Sequence, residues 1–156
     1  MKKIKFNSFF ILLSLSTIMF FSCSDDDDDN GGGSSSEIVG KWELTYSKWW
    51  STSNGELIPG SEGFDDQETY GDINYYIFNE DGTGKEAEGT ASSEIAEWPI
   101  TWKVKGDVLT VGYDNGDEDD NFKITELTST KLVYLYEEDE DDGTVWHSES
   151  TYKRVK

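Results

Sequence analysis

Beyond Glu37, apolar and polar residues alternate along short segments, and almost no stretch has the residue spacing of a helix. Aromatic and β-branched residues occupy most of the apolar positions, as is typical of strands with one buried face. The alternation therefore predicts an all-β fold. Eight strands are predicted, at residues 39–47, 73–79, 83–89, 99–105, 108–113, 121–127, 131–137 and 144–154.

Tight turns separate most of these segments. Gly106 and Asp107 predict a two-residue hairpin, and residues 79–82, 114–116 and 142–143 carry further turn signals. Strands that follow one another through short turns form an antiparallel meander, and a meander removes its exposed edges by closing on itself. The sequence therefore predicts an antiparallel eight-stranded meander closing into a small barrel.

The predicted barrel domain spans residues 37–156, an ordinary size for a single domain. About 25 residues separate its first two strands, and this segment begins with Trp49 and Trp50. Because loops longer than about 12–15 residues tend to be functional or mobile, the segment is a candidate binding loop. Exposed, the two tryptophans could stack on sugar rings and make the protein a glycan-contacting or adhesion module. Buried, they would close one end of the core.

Strand parity sorts side chains into an inward and an outward set. In the first strand Trp42, Leu44 and Tyr46 alternate with polar residues, so we expect them to face inward. In the last strand the small side chains of Ser148 and Ser150 share the inward face with aromatic residues, and an eight-stranded barrel with spare room can hold one small ligand. The predicted ligand-contacting residues are Trp42, Leu44, Phe78, Trp102, Trp146, Ser148, Ser150 and Tyr152.

Several segments resemble, in order, those of lipocalin-like domains. Gly40 and Trp42 resemble the Gly-x-Trp opening of the family, and residues 76–84 resemble its second strand and first hairpin. The order continues as in small bacterial lipocalin-like lipoproteins at residues 101–104, 109–111, 124–128 and 131–133. The resemblance implies a lipocalin-like barrel that binds a small apolar molecule or a partner protein. It also implies that the long segment after the first strand lies over one mouth of the barrel.

The N-terminus has the pattern of a signal peptide. Three lysines within the first five residues precede an apolar run at residues 9–21. This run of 13 residues is shorter than the roughly 20 that a stable transmembrane helix needs. Small and polar residues follow it at once, as they do in an exported precursor. We therefore predict a signal peptide at residues 1–22.

Cys23 is the only cysteine of the chain and follows Ser22 directly. This pair resembles the cleavage and lipidation site of a bacterial lipoprotein, which implies a diacylglyceryl cysteine carrying palmitate-like acyl chains. One acyl chain holds a protein marginally, whereas two or more anchor it stably. The resemblance therefore implies a membrane partner reached through the lipid.

An acidic cluster follows the cysteine: Ser24, Asp25, Asp26, Asp27, Asp28 and Asp29. It resembles the surface-export signal of lipoproteins in one group of Gram-negative bacteria, which implies an outer-membrane protein facing the cell exterior. The alternative is a solvated acidic spacer. Because glycine and serine dominate the residues that come next, residues 23–36 are predicted to form a flexible tether.

Charge excludes several partners. The chain has a formal net charge of −20, and removal of residues 1–22 deletes three lysines and no acid, which leaves 10 minus 33, or −23. A surface this acidic repels nucleic acid and anionic lipid headgroups. Basic partners, divalent cations or plain solubility remain as explanations.

Catalytic chemistry has little support in the sequence. His147 is the only histidine, a nucleophilic triad would have to use it, and strand parity places it on the outward face beside Glu149 and Lys153. Residues 138–149 mimic the spacing of a calcium loop, but strands rather than helices are predicted on both sides. We therefore predict no enzyme, no cofactor and no specific metal site.

Overall fold

The structure is a computed structural model that describes residues 35–114, 118–140 and 142–156. This part of the chain contains two one-turn helices, α1 (Ser35–Ile38) and α2 (Gln67–Tyr70), and ten strands. The strands are β1 (Gly40–Ser53), β2 (Glu56–Leu57), β3 (Gly63–Asp66), β4 (Asp72–Phe78), β5 (Thr83–Thr90), β6 (Ala96–Lys105), β7 (Val108–Tyr113), β8 (Asp120–Leu127), β9 (Lys131–Asp139) and β10 (Thr144–Val155). The predicted signal peptide, the lipidation site at Cys23 and the acidic cluster lie outside the described residues.

Eight of these strands form a closed antiparallel barrel. β4 to β10 pair in chain order, and β1 closes the circle by pairing with β4 on one side and with β10 on the other. Trp42 marks the closure, since it is opposite Tyr76 of β4 and Arg154 of β10. These eight strands correspond to the eight that the alternation predicts, so the predicted fold class is confirmed.

The segment predicted as a long loop contains regular structure instead. β1 continues to Ser53 and turns through Asn54 and Gly55, both with positive φ, into β2. β3 then pairs with the middle of β1, and α2 leads into β4. Trp49 and Trp50 therefore lie in a strand and not in a loop. The prediction was wrong here because this half of β1 gains new partners, β2 and β3, after it separates from β4.

A β-bulge at Thr45 changes the parity of β1. Leu44 is opposite Tyr152 and Tyr46 is opposite Thr151, so one extra residue of β1 lies between two successive pairs. An extra residue reverses which later side chains face inward. Tyr46 was predicted to face inward and instead lies at the surface, whereas Trp49 is opposite Ser148 on the inner face.

One end of the barrel is sealed. Ile38 of α1 and Trp42 are each 0% exposed, and the Trp42 indole Nε1–H donates to the Ile38 carbonyl at 2.6 Å. The Arg154 guanidinium carbon lies 4.2 Å from the centre of the Trp42 ring. The same guanidinium donates hydrogen bonds to the carbonyls of Glu37 and Val39. Helix α1 is thus tied to β1 and β10, and we call this region the closed end.

Aromatic rings fill the interior next to the closed end. The Phe78 and Trp102 rings are 5.3 Å apart, and the Trp102 indole N–H donates to the Thr83 carbonyl at 2.9 Å. The Tyr134 and Tyr152 hydroxyls share a hydrogen bond of 2.6 Å. Packing of this kind contributes stability beyond the buried area alone. None of the helices in residues 35–114, 118–140 and 142–156 is long and apolar enough to span a membrane.

Candidate functional site

The eight predicted ligand-contacting residues occupy different environments. Trp42, Phe78, Trp102 and Tyr152 are buried in the packed core cluster. Ser150 is buried beside them, with its hydroxyl 3.4 Å from that of Ser47. Trp146 and Ser148 are half-buried farther along β10, where the Trp146 ring lies edge-on to Tyr136. The eighth residue, Leu44, contributes to a pocket at the other end of the barrel from α1.

This pocket, which we call the mouth pocket, has a volume of about 550 Å³. Side chains from β1, β3, α2, β4, β5 and β6 surround it. Its lining residues are Leu44, Ser47, Asp65, Gln67, Asp72, Ile73, Asn74, Glu88, Gly89, Thr90, Ala96 and Trp98. It forms because β1 pairs with β4 over Gly40–Glu43 and then diverges from it, so the barrel opens where β3 and α2 cross.

Trp98 forms the aromatic wall of the mouth pocket and is 43% exposed. It is opposite Glu86 on β5, and Ala96 is opposite Glu88, so both side chains share the inward face of β6. Trp98 is not among the predicted ligand contacts because the predicted strand begins at Pro99. Extending the alternation backward from the buried Ile100 would have found it.

Carboxylates, side-chain amides and hydroxyls supply the polar groups of the mouth pocket. The Asn74 amide Nδ2 donates to Glu88 Oε1 at 3.4 Å. Asn74 Oδ1 and Gln67 Oε1 are shielded from solvent and accept no hydrogen bond. Partial burial, with the nearby Glu86 carboxylate as a second cause, raises the pKa of Glu88.

Tyrosine hydroxyls lie farther inside the barrel. Tyr76 donates to Glu86 Oε1 at 2.7 Å, and Tyr113 also bonds to this carboxylate. Burial raises the pKa values of Tyr76, Tyr134 and Tyr152 well above that of a free tyrosine. These hydroxyls therefore remain protonated donors at neutral pH and provide a polar layer between the mouth pocket and the closed end.

A second depression lies on the outer face of β1, β2 and β3 and has a volume of about 590 Å³. We call its apolar side chains Tyr46, Trp50, Leu57 and Phe64 the aromatic platform. Phe64 is 58% exposed and stacks on Tyr46 with 6.0 Å between ring centres. It is more open to solvent than the mouth pocket.

Trp49 and Trp50, predicted together as loop aromatics, face opposite sides of β1. The Trp50 ring stacks on His147 of β10 with 5.1 Å between ring centres and an angle of 8°. The Trp49 ring covers Gly63 of β3, where an added Cβ would come within 2.4 Å of the indole. Trp50 therefore belongs to the aromatic platform, whereas Trp49 lines the same depression beside Gly63, which it contacts.

His147 links three strands. Its Nε2 lies 2.9 Å from Thr52 Oγ1, and its Nδ1 lies 2.9 Å from Glu137 Oε1. The imidazole is on the outward face as predicted, but Trp50 covers it and its side chain is 13% exposed. Hydroxyl, imidazole and carboxylate follow one another as in a nucleophilic triad. A catalytic triad also needs an oxyanion hole built from free backbone N–H groups. Around Thr52 the backbone is paired with β2 on one side and β10 on the other, so these groups serve the strand ladders instead.

The acidic hairpin between β9 and β10 contains the residues whose spacing mimics a calcium loop. Glu138, Asp139, Glu140 and Asp142 surround a depression there. Hydrogen bonds from the Thr144 hydroxyl and backbone lower the pKa of Asp142, so this carboxylate stabilises the turn. In the part of the chain that the structure describes, no three histidine, cysteine or acidic residues are grouped as metal ligands.

The fold and its Gly-x-Trp opening define a class of protein. The family model for the lipocalin-like domain matches residues 38–134, which is more than half of the chain. The chain therefore belongs to the family of lipocalin-like domains. Among curated proteins, no sequence matches it.

Several solved structures are similar in fold at low identity. A lipocalin-like protein from Bacteroides uniformis is 15% identical, with a TM-score of 0.48 over 76% of this chain and 99% of that one. An uncharacterized protein from Bacteroides eggerthii is 15% identical, with a TM-score of 0.44 over 75% of this chain and 98% of that one. Bovine odorant-binding protein in complex with undecanal is 15% identical, with a TM-score of 0.42 over 83% and 78% of the two chains.

Proposed function

We propose that this protein is a non-catalytic binding protein that holds a small, largely apolar molecule in the mouth pocket of its lipocalin-like barrel. The observation that carries the proposal is the difference between the two ends of the barrel. Packed aromatic residues and α1 cover the core at one end, where a depression of about 630 Å³ is bordered by Ser36, Glu80 and Lys103. At the other end a pocket of about 550 Å³ lies where β1 and β4 diverge. Small-molecule sites commonly have volumes of about 300–1,000 Å³.

The walls of the mouth pocket suit an apolar ligand. Leu44, Ile73 and Ala96 contribute aliphatic surface, and Trp98 contributes a partly exposed ring. A ligand that covered this ring would remove apolar surface from water, worth about 25 cal/mol per Å². Membership of the lipocalin-like family supports the same function, because these barrels typically bind small hydrophobic molecules without catalysing a reaction.

Fluorescence of N-phenyl-1-naphthylamine, a neutral apolar dye, tests this function. The full chain is reconstituted in phosphatidylcholine vesicles, and vesicles without protein give the background. We expect a saturable increase in dye fluorescence, and Trp98→Ala should lower the affinity for the dye about tenfold. Phe64→Ala, which removes an exposed ring from the outer face, is the matched control and should leave the affinity unchanged. Equal fluorescence enhancement in the original protein and in both variants would show that the dye binds elsewhere.

The proposal also places the barrel at the cell surface, held in the outer membrane by lipid on Cys23. Its support is the sequence at residues 1–29, including the single cysteine and the acidic run. Cys23→Ala is expected to move the protein from the detergent phase to the aqueous phase in a phase-separation assay. A variant that stays in the detergent phase after normal processing would contradict lipidation at this residue.

Surface exposure needs a separate test. Replacing Asp25, Asp26, Asp27, Asp28 and Asp29 with alanine is expected to keep the lipid but leave the protein facing the periplasm. Protease added to intact cells then digests the original protein and spares the variant. Equal digestion of the original protein and the variant would show that the acidic cluster is only a spacer.

The aromatic platform favours a second function, contact with glycans. Tyr46, Trp50 and Phe64 present rings on one face of the sheet, and Lys48 and Glu149 form an ion pair of 2.8 Å beside them. Rings flanked by hydrogen-bonding groups suit the faces and hydroxyls of sugars. In this case Phe64→Ala and Trp50→Ala would abolish retention on immobilised polysaccharide, and Trp98→Ala would not.

A further inference from the structure

The two faces of the barrel wall differ in the charged side chains that they carry. The lysines of the described strands lie on the outer face, and several form ion pairs there, such as Lys85 with Glu97 and Lys131 with Glu126. Carboxylates occur on both faces. Strand pairing places Glu86 and Glu88 on the inner face of β5, opposite Tyr76 and Asn74 of β4. The one arginine of these strands is used at the closed end.

The mouth pocket therefore carries negative charge without a matching cation. Asp65, Asp72 and Glu88 line it, and no lysine, arginine or histidine of the described residues does. Lys153 lies in an adjoining depression, but it is on the outer face with its Nζ 3.6 Å from Glu43 Oε2. The residues that line the mouth pocket therefore favour a positively charged group over a negatively charged one.

The amide oxygens add an independent observation. Asn74 and Gln67 both line the mouth pocket, and their side-chain oxygens, Asn74 Oδ1 and Gln67 Oε1, are buried acceptors with no donor. The Asn74 amide nitrogen is already directed at Glu88, which leaves its oxygen free for a ligand. A buried polar atom without a partner costs free energy, so a ligand that supplies donors gains by meeting these two oxygens.

We propose that the ligand of the mouth pocket is an organic cation, an apolar body with a primary ammonium group, and that Glu88 with the Asn74 and Gln67 amide oxygens receives the ammonium. This inference rests on the proposed function and names the ligand class of the same pocket. A primary ammonium has three donors and no acceptor, which matches a carboxylate and two amide oxygens. Leu44, Ile73 and Trp98 then contact the apolar body.

A free metal ion fits this pocket less well than an ammonium does. Calcium takes six to eight oxygen ligands and magnesium requires near-octahedral geometry. The described residues contain no such grouping of acidic ligands, and the apolar walls have no part in binding a bare ion. Partial burial, with the nearby Glu86 carboxylate as a second cause, raises the pKa of Glu88, so a cation beside it would stabilise its ionised form.

Three phenyl compounds of similar size test the proposal: 2-phenylethylamine, 2-phenylethanol and 3-phenylpropanoate. Each displaces N-phenyl-1-naphthylamine from the full chain in phosphatidylcholine vesicles at neutral pH. We expect the amine to bind about tenfold or more tightly than the alcohol, because a hydrogen bond to a charged group contributes about 1.5–3 kcal/mol. The carboxylate is expected to displace no dye.

Two variants with the same charge change identify the site. Glu88→Gln is expected to bring the amine and the alcohol to equal affinity, each calculated with the dye affinity measured for that variant. Glu126→Gln, which removes a carboxylate from the outer face, is expected to keep the preference. Far-ultraviolet circular dichroism shows that each variant is folded.

The outcomes separate the two proposals. If the alcohol binds as tightly as the amine, or if the dye binds and none of the three compounds displaces it, the ammonium site is wrong and the apolar pocket stands. If neither the dye nor the amine binds, both are wrong. A preference for the amine that survives Glu88→Gln would also overturn the assignment to this carboxylate.

Discussion

The two ends of the barrel use aromatic residues in opposite ways. At the closed end Trp42 is 0% exposed, its N–H is bonded to Ile38, and Arg154 covers its face. At the open end Trp98 is 43% exposed, and the side-chain oxygens of Asn74 and Gln67, two residues that line the pocket beside it, have no donor. The first tryptophan satisfies all its contacts within the fold. The second leaves part of its surface for a ligand.

The difference arises from how β1 pairs with its neighbours. Over Gly40–Glu43 β1 lies between β4 and β10, so the wall is continuous and the core beneath it packs. After the bulge at Thr45, β1 keeps β10 but exchanges β4 for β3 and then β2. Stability is therefore concentrated at one end, and the space for binding at the other.

Trp42→Ala should have the largest effect. Loss of a fully buried indole in a packed core costs about 3–5 kcal/mol of unfolding free energy. Chemical denaturation followed by circular dichroism measures this cost. A loss below about 1 kcal/mol would contradict the view that the closed end stabilises the barrel.

Arg154→Met should cost about 2 kcal/mol, because it leaves the carbonyls of Glu37 and Val39 without a charged donor while it preserves most of the side-chain packing. Lys153→Met is the matched control on the adjacent residue. Lys153 forms an exposed ion pair of 3.6 Å, and such pairs contribute about 0–1 kcal/mol. Equal losses in the two variants would show that Arg154 has no special role.

Tyr134→Phe should cost about 1 kcal/mol at neutral pH, because it removes the hydrogen bond with Tyr152. The effect changes with alkalinity. Burial raises the pKa of Tyr134 above that of an unfolded tyrosine, about 10, so above pH 10 the unfolded chain loses a proton that the folded protein keeps. The free energy of unfolding then falls by about 1.4 kcal/mol per pH unit for each tyrosine that burial keeps protonated. Between pH 10 and 11 the free energy of unfolding should fall less in the variant than in the original protein. Equal decreases in the two proteins would contradict a buried, protonated Tyr134.

Trp98→Ala should have the smallest effect on stability, about 1 kcal/mol or less, because the ring is already partly in water. Its effect on binding the neutral dye should be large in comparison. Thermal unfolding with and without dye separates the two quantities. A variant that is strongly destabilised would place Trp98 in the core and weaken its role as a pocket wall.

Much of the architecture could be predicted from local sequence. The eight barrel strands, the hairpins at Gly106 and Gly143 and the buried positions of Trp42 and Trp102 all follow from alternation and turn residues. The candidate site was predicted less well. Leu44 lines the mouth pocket, but Trp102 and most of the other predicted ligand contacts belong to the core or to β10.

The missed features depend on contacts between distant parts of the chain. Nothing in residues 44–46 indicates that Thr45 is an extra residue, because a bulge is defined by the register of the partner strand. Trp49 and Trp50 are adjacent in sequence, and the bulge together with Gly63 determines which of them faces inward.

The sequence by itself determined the eight barrel strands, their antiparallel order and the strongly acidic character of the chain, since alternation, turn chemistry and charge are local properties. The tertiary structure decided where the barrel is filled and where it opens. That choice depends on β1 separating from β4, on α1 covering Trp42 and on the inner-face position of Glu88 opposite Asn74. Packing and cross-strand register join residues that are far apart in the chain, and no local pattern specifies them.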